Sequence, residues 1–462
     1  MTHLHERGIA VSADRIDELV AAERARFAAD HPTSAGLFGQ AEHLFGRVPM
    51  TWMTKWSGQF PLYLDSAAGA SITDVDGIRY ADFALGDTGA MAGHSPAAVV
   101  TAVQRRVAEQ GGITAMLPTE DAEWVAAELS RRFGLPLWSF SLSATDANRW
   151  AIRLARLVTG RPKILVFSYS YHGSVDETFI VRDENDQPRS RQGNVGPAVD
   201  PTTTTRVAHF NDLASVEAEL AAGDVAVVVT EPALTNIGIV LPEPGFLDGL
   251  ADLARRYGAL LLIDETHTFS AGPSGMTGTH GLQPDILVIG KSIGGGIPCG
   301  AYGISTELAE RIGALVRSGE ADIDDVGGVG GTLAGNALST AAMRATLGEV
   351  LTAQAYVGMI ELATHYTEGV RAMLAERSLP WSISQLGARA EFRFADPAPV
   401  TGNASAAAAD PALDEFFHLY LANRGVLLTP FHNMALMCPA TERADVDRLL
   451  ELFADATKTL LT

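Results

Sequence analysis

From about Pro96 to Leu308 two patterns alternate along the chain. Stretches with apolar residues at helical spacing ("AAVVTAVQRRVAEQ", "DAEWVAAELSRRF", "DANRWAIRLARLVTG") alternate with short, continuously apolar runs ("KILVFS", "VAVVVTEP", "ALLLIDE", "ILVIGK"). Helical spacing buries one face, whereas an unbroken short apolar run suits a strand covered on both faces. Together they predict an α/β architecture, a mostly parallel central sheet between helices. Upstream, Ser12 to Phe27 reads as an amphipathic helix with Ser12 as its cap and Ile16, Leu19 and Val20 on one face. Such a helix docks either on a partner subunit or on its own chain. Pro61 to Phe83 alternates apolar and polar positions around a DVDG turn, the pattern of short antiparallel strands. After Thr332 come helix ("NALSTAAMRATLGEVLT"), strands ("ARAEFRFAD", "GVLLTP") and a closing helix ("ADVDRLLELFADATKTLL"), with the small-residue stretch 400–412 read as a loop. The expected division is 1–90 as an N-terminal helix and strand meander, 91–330 as a large domain, and 331–462 as the C-terminal part of a smaller α+β domain built from both termini. No internal repeat is evident.

Composition narrows the class of protein. Apolar residues make up 47 % of 462, enough for a sizeable core, and the formal net charge is −21. An acidic surface repels nucleic acid and anionic membranes. Two cysteines, Cys299 and Cys438, argue against a disulfide framework or a thiolate metal site. The N-terminal stretch lacks the apolar core of a signal peptide, and no apolar run approaches the roughly 20 residues that span a bilayer. These features lead us to expect a soluble cytoplasmic protein.

Ligands of parallel sheets collect outside the carboxyl ends of the strands. Asp264 closes one strand, in "LLLIDE", and Lys291 follows another, in "DILVIGKSIGGG". A lysine in a dry crevice can lose its proton and attack a carbonyl. A neighbouring carboxylate can keep a pyridine nitrogen protonated. Pyridoxal phosphate chemistry needs both. An ordinary ion pair, or two unrelated surface charges, accounts for the same residues. "FSLSATDANRW" passes from strand to helix through Ser143, Ala144 and Thr145, where backbone N–H groups and hydroxyls can meet a phosphate; plain helix capping is the competing explanation. Tyr171 can stack on a flat ring or simply sit at a rim. The glycines 294–296 follow a lysine instead of preceding one, so they form no nucleotide-binding P-loop, and no GxGxxG is present.

In order and spacing, "DVDGIRYADF", "GHSP", "ARLVTGRPKILVFSYSYHG", "TEPALTNIGIVLPEPGFL", "LLLIDETHTF", "PDILVIGKSIGGGIPCGAYG" and "GGTLAGN" resemble a class III pyridoxal-phosphate aminotransferase of fold type I. The nearest branch is that of glutamate-1-semialdehyde 2,1-aminomutase and its amine or β-amino-acid transaminase relatives. The resemblance spans about Asp74 to Ala440. It implies a transaminase that moves an amino group from an amine or amino acid to a keto acid or aldehyde through a Schiff base on Lys291; an aminomutase or an amino-acid racemase is the alternative outcome. A catalytically dead protein of the same fold would lack the intact Lys291 and Asp264.

Position by position, the resemblance gives Asp264 to the pyridine nitrogen and Ser143, Ala144 and Thr145 to the phosphate. Thr266 would pack under the ring, Tyr171 would stack on it, and His172 beside it would be structural. Glu231 and Asn236 would support the ring face and phenolic oxygen. Thr332 would reach the phosphate of a neighbouring subunit, which implies a homodimer with shared active sites. Three departures stand out. The phosphate loop reads Ser-Ala-Thr-Asp-Ala where Ser-Gly-Thr-Glu-Ala is usual. His267 replaces a methionine or glutamine and would contact the cofactor's phenolic side or point away. Near Trp52 the aminomutase branch has a carboxylate-binding arginine, which an aromatic cannot replace. Trp52, Met53 and Trp56 would line an apolar pocket or belong to the core. Arg389 is a candidate carboxylate clamp, with an ion pair to Glu391 or another acid as the competing explanation. His432 falls near the cofactor entrance, and His94 and His209 are taken as structural.

Overall fold

The computed structural model describes residues 11–325 and 327–462. The apolar runs form one seven-stranded sheet, numbered here in chain order: β1 (Leu137–Ser141), β2 (Lys163–Phe167), β3 (Thr205–Ala208), β4 (Val225–Thr230), β5 (Leu260–Asp264), β6 (Ile286–Gly290) and β7 (Gly300–Ile304). Their order is β1-β7-β6-β5-β4-β2-β3. Only β7 runs antiparallel to its neighbours; the β2/β3, β2/β4, β4/β5 and β5/β6 ladders are parallel. This is the mostly parallel sheet that the unbroken apolar runs predict. All residues of β4, β5 and β6 are buried.

Because side chains alternate across a strand, each strand feeds two cores. Val227, Val229, Leu262 and Val288 pack with Ala151, Ile152 and Ala155 of the helix Ala144–Thr159. Val228, Leu261 and Ile263 pack on the opposite face with Val216 and Leu220 of helix Leu213–Leu220 and with Phe246, Leu250 and Leu253 of helix Phe246–Arg256. Each buried valine, leucine, isoleucine or phenylalanine among them stabilises the fold by about 1.5–3 kcal/mol relative to exposure.

The chain divides into two compact units. The larger holds Ala97–Tyr356 and Val400–Ala406; the smaller holds the described residues up to Pro96 with Val357–Pro399 and Ala407–Thr462. Compactness thus draws the line at Tyr356, not at 330. The stretch read as a loop contains the short helix Gly402–Ala407. Its start is anchored in the larger unit by Asn403, which donates to the Arg182 carbonyl, and by Ser405, which donates to that of Ile237.

In the smaller unit, helix Ala13–Asp30 is capped by Ser12, as its sequence predicts, and docks on its own chain. Arg24 pairs with Glu415 of helix Pro411–Ala422, and Glu23 with Arg424. The DVDG segment gives antiparallel strands Leu64–Ala68, Ser71–Asp74 and Arg79–Asp82. An aromatic core of Trp381, Phe392, Phe394, Phe417 and Phe453 supports the strand Arg389–Arg393. Among the described residues no helix is long and apolar enough to cross a membrane.

Candidate active site

Five segments of the larger unit leave the same edge of the sheet, each just beyond a parallel strand: 143–145 after β1, Tyr171 and His172 after β2, Glu231 after β4, Asp264 at the end of β5, and Lys291 after β6. In the β5/β6 register Asp264 lies level with Val288, so Lys291 begins three residues farther out. The acid sits deep and the lysine at the mouth.

Asp264 is buried and accepts three hydrogen bonds. Asn148 Nδ2 and His172 Nδ1 reach its Oδ2 at 2.8 and 3.1 Å, and the Thr266 backbone N–H reaches Oδ1 at 3.1 Å. Burial pushes this carboxyl up, but the hydrogen bond and charge of His172, with Thr266 and Asn148, overcome it and hold the group below the usual carboxylate range. A carboxylate has about four acceptor positions, so one remains for a further donor. Close by in chemistry but shifted in the opposite direction is Glu231. Burial pushes it up to about 7 against the opposing influence of His172 and Thr235, and the Thr235 hydroxyl donates to it. Asn236 follows at the tip of a hairpin whose strands meet at Leu234 and Val240.

Lys291 adopts a left-handed backbone, φ 52, unusual for a residue with a side chain. Its Nζ lies 2.8 Å from His267 Nε2. The residue before it, Gly290, leaves little room for a side chain: a Cβ there would stand 3.0 Å from the backbone nitrogen and Cβ of Ala144. The lysine's strand therefore presses against the loop that opens helix Ala144–Thr159. Gly173, at φ 79, also lies close against this loop, since a Cβ there would overlap Thr145. Ser143 caps the helix by accepting from the Asp146 N–H at 3.2 Å. The first-turn N–H groups of such a helix form an anion site.

Glu265 organises the loop that carries His267. Fully buried, it accepts from the hydroxyls of Thr268 and Thr277 and from the backbone of Met276 and Thr277. Buried polar atoms of these groups have no hydrogen-bond partner among the described residues: Asn148 Oδ1, His172 Nε2, Glu231 Oε2, Thr266 Oγ1 and Ser292 Oγ. Such atoms are stable when a bound group satisfies them. The arrangement can hold a flat, anionic heterocycle: a carboxylate for a ring N–H, a lysine for an aldehyde, and a helix N-terminus for a phosphate. Pyridoxal 5'-phosphate has those three features.

The predicted residues thus divide. His172 and Thr266 gather directly around Asp264, and His267 around Lys291. Ser143, Ala144, Thr145, Tyr171, Glu231 and Asn236 occupy neighbouring exits of the same sheet. Tyr171 is half-buried, its ring 6.2 Å edge-on from that of Phe179. Thr332 is exposed. Trp52, Met53, Arg389 and His432 belong to the smaller unit. There Trp52 and Met53 lie in an exposed turn, and the Trp52 ring meets Phe431 at 5.9 Å. Arg389 is buried and donates to Thr88 Oγ1 at 2.7 Å, while Glu391 lies 3.3 Å from His432 Nδ1. Asn148, Thr235 and Glu265 escape the sequence reading. Asn148 alone leaves a signal, a polar residue on the buried stripe of Ala147, Ala151 and Ile152.

A family model described as aminotransferase class-III matches residues 52–457. The chain is 33 % identical to a glutamate-1-semialdehyde 2,1-aminomutase of Desulfitobacterium hafniense (strain Y51), over 87 % of this chain and 92 % of that protein. Among solved structures it is similar to a glutamate-1-semialdehyde-aminomutase from Pseudomonas aeruginosa PAO1, also solved with PMP: 49 % identity, 97 % of this chain, 99 % of that one, TM-score 0.94. It is also similar to a β-phenylalanine aminotransferase from Variovorax paradoxus: 27 % identity, 95 % and 97 % coverage, TM-score 0.84. The chain belongs to the class III aminotransferases, pyridoxal-phosphate-dependent enzymes of fold type I.

Proposed function

We propose that the enzyme is a transaminase that moves an amino group from an amine or amino acid to a keto acid or aldehyde. The observation that carries this reading is the charged, donor-rich Asp264 and the half-buried Lys291 at the exits of adjacent parallel strands. When bound, the cofactor's ring takes up the electron pair left as a proton departs from the amine-bearing carbon. Asp264 would keep a proton on the ring nitrogen, with His172 and Asn148 fixing its orientation. Lys291 Nζ would hold the cofactor's aldehyde carbon and carry the migrating proton. The first-turn N–H groups and the hydroxyls of Ser143 and Thr145 would bind phosphate. Tyr171 and Thr266 would bracket the ring, and Glu231 and Asn236 would flank it. Donor selection falls to Trp52, Met53, Arg389 and His432. The exposed Thr332 suits a role toward a second copy in a homodimer, and two buried free thiols suit a reducing cytoplasm.

A second reading, an aminomutase that returns the amino group to the same molecule, is favoured by the 49 % identity to the Pseudomonas enzyme. Trp52 speaks for the first, because an indole cannot pair with a substrate carboxylate as the expected arginine would. Acceptor dependence separates them. The purified enzyme is expected to convert a panel of amines only when pyruvate or 2-oxoglutarate is supplied, and Lys291→Ala should reduce turnover on the order of 10⁴-fold, the upper end for a positioned proton-transfer group. Conversion of glutamate 1-semialdehyde without an acceptor would establish the second reading. Full activity in Lys291→Ala would overturn both.

A further inference from the structure

His267 and Lys291 stand 24 residues apart in sequence and meet at 2.8 Å, imidazole Nε2 to lysine Nζ. His267 leaves the end of β5 three residues after Asp264, at the head of the short turn Thr268–Ala271, with φ −100 and ψ −36. The loop beyond it is tied down through Glu265. Lys291 leaves β6 in its left-handed conformation. Two differently shaped exits therefore converge on one contact, and both residues are half-buried.

An ammonium has no lone pair; only the neutral amine can bond to a carbonyl carbon. A general base must lie within hydrogen-bond reach of the proton it takes, about 2.6–3.2 Å, and an imidazole nitrogen can accept it. Resting on the reading above, in which Lys291 is the lysine that holds the cofactor, we infer that His267 is the proton acceptor that frees the Lys291 amine for bond formation and returns the proton when that bond is broken. The transfer balances in place. One Nζ–H bond breaks, its electron pair stays on the lysine nitrogen, one Nε2–H bond forms, and the positive charge moves to the imidazole. A neutral ring accepting at Nε2 carries its own hydrogen on Nδ1. Asp264 is unsuited to the task, because three donors already hold its charged form and make it a weak base.

Loading of the cofactor isolates this step from turnover. Full-length protein stripped of cofactor is mixed with pyridoxal 5'-phosphate. Uptake is followed by visible absorbance, and the adduct is fixed with borohydride and located by peptide mass. His267→Ala and His267→Gln should load on the order of 10²-fold more slowly than wild type, the low end for a general base. Added imidazole should restore the rate of His267→Ala and leave wild type unchanged. Equal rates in all three proteins, or a slow His267→Ala rate that imidazole does not move, overturns the assignment. If His267→Ala fails to fold, His267→Gln decides, with its amide in the imidazole's place. A wild-type protein that forms no adduct at Lys291 would overturn the lysine's role, and the inference with it; normal loading of wild type and both variants overturns the inference alone.

Discussion

Each compact unit holds a carboxylate among polar neighbours, Asp264 buried and Asp414 partly buried, and the two are shifted in opposite directions. Asp264 in the larger unit accepts from Asn148, His172 and the Thr266 backbone. Asp414 in the smaller unit accepts from the Asn433 amide at 2.6 Å. Burial drives both carboxyls upward. Around Asp264 the donors and the His172 charge outweigh burial and favour the ionised form. Around Asp414 the Asn433 bond and the Arg393 charge fall short, and the group is pushed up to about 6. His418, in the same cluster, is driven by burial down to about 4, which favours its neutral form. The contrast recurs inside the larger unit, where Glu231 is pushed up to about 7 beside the charged Asp264. Neither depth nor the count of donors alone sets the direction: Glu265 accepts four hydrogen bonds and burial still pushes it up, whereas Asp264, with three, also faces the charge of His172. A cluster that keeps its charge at depth is equipped to act on a cationic group, and paired acids pushed in opposite directions mark a site for proton chemistry.

The largest effect expected in this comparison comes from Asp264→Asn. The amide keeps an acceptor oxygen but loses the charge, and turnover should fall on the order of 10²-fold or more, as for other lost electrostatic groups at reacting centres. Asp414→Asn makes the same chemical change in the other cluster and should leave turnover within about twofold. Steady-state rates of both variants with one amine and one keto acid test the difference. Equal losses would erase the distinction between the two clusters.

Much of this contrast was legible in the chain. Asp264 and Lys291 stand out because unbroken apolar runs mark β5 and β6, and their ends are where a parallel sheet binds. Of the donors around Asp264, His172 and Thr266 were legible beside recognisable strand ends, but Asn148 was not, because it lies 116 residues away and pairs with Asp264 only in the folded chain. Likewise, His267 shows in the sequence as an unusual residue, but its contact depends on how two separate strand exits converge. Gly402–Ala407 reads as a loop because glycine, asparagine and serine break helices locally. Hydrogen bonds from Asn403 and Ser405 to distant carbonyls override that preference. The units' boundary at Tyr356 is equally tertiary: helix Ala337–Ala345 packs against helix Glu120–Phe133, which a linear reading assigns to another domain.

A smaller effect is expected from pH. The folded chain keeps the Asp414 proton up to about pH 6, whereas an unfolded carboxyl releases it near its ordinary 3.8, so this group's contribution to stability falls as pH rises through that window. His418 has the opposite sign. The folded chain keeps it neutral down to about 4 while an unfolded imidazole takes a proton near 6.5, so its contribution rises with pH. The two slopes oppose each other over nearly the same range. Asp414→Asn should expose the rising slope and His418→Gln the falling one, each amounting to about 3 kcal/mol at 1.36 kcal/mol per tenfold change in proton affinity. Urea unfolding between pH 4 and 7 measures both. Two variants with parallel profiles would show that neither group is held neutral.

The smallest effect concerns two helix caps, one in each unit. Ser143 accepts from the Asp146 N–H, and Asp410 accepts from those of Ala412 and Leu413. Removing either cap should cost about 1 kcal/mol of stability. The Ser143 hydroxyl also stands where the proposed phosphate would be held, so Ser143→Ala should weaken cofactor retention beyond its loss of stability. Asp410→Ala should lose stability alone. Thermal melts of cofactor-free protein, set against the rate at which loaded protein releases pyridoxal 5'-phosphate, separate the two effects. If Ser143→Ala releases cofactor no faster than Asp410→Ala at matched stability, the serine is a cap and nothing more, and phosphate binding rests on the backbone N–H groups of the first turn.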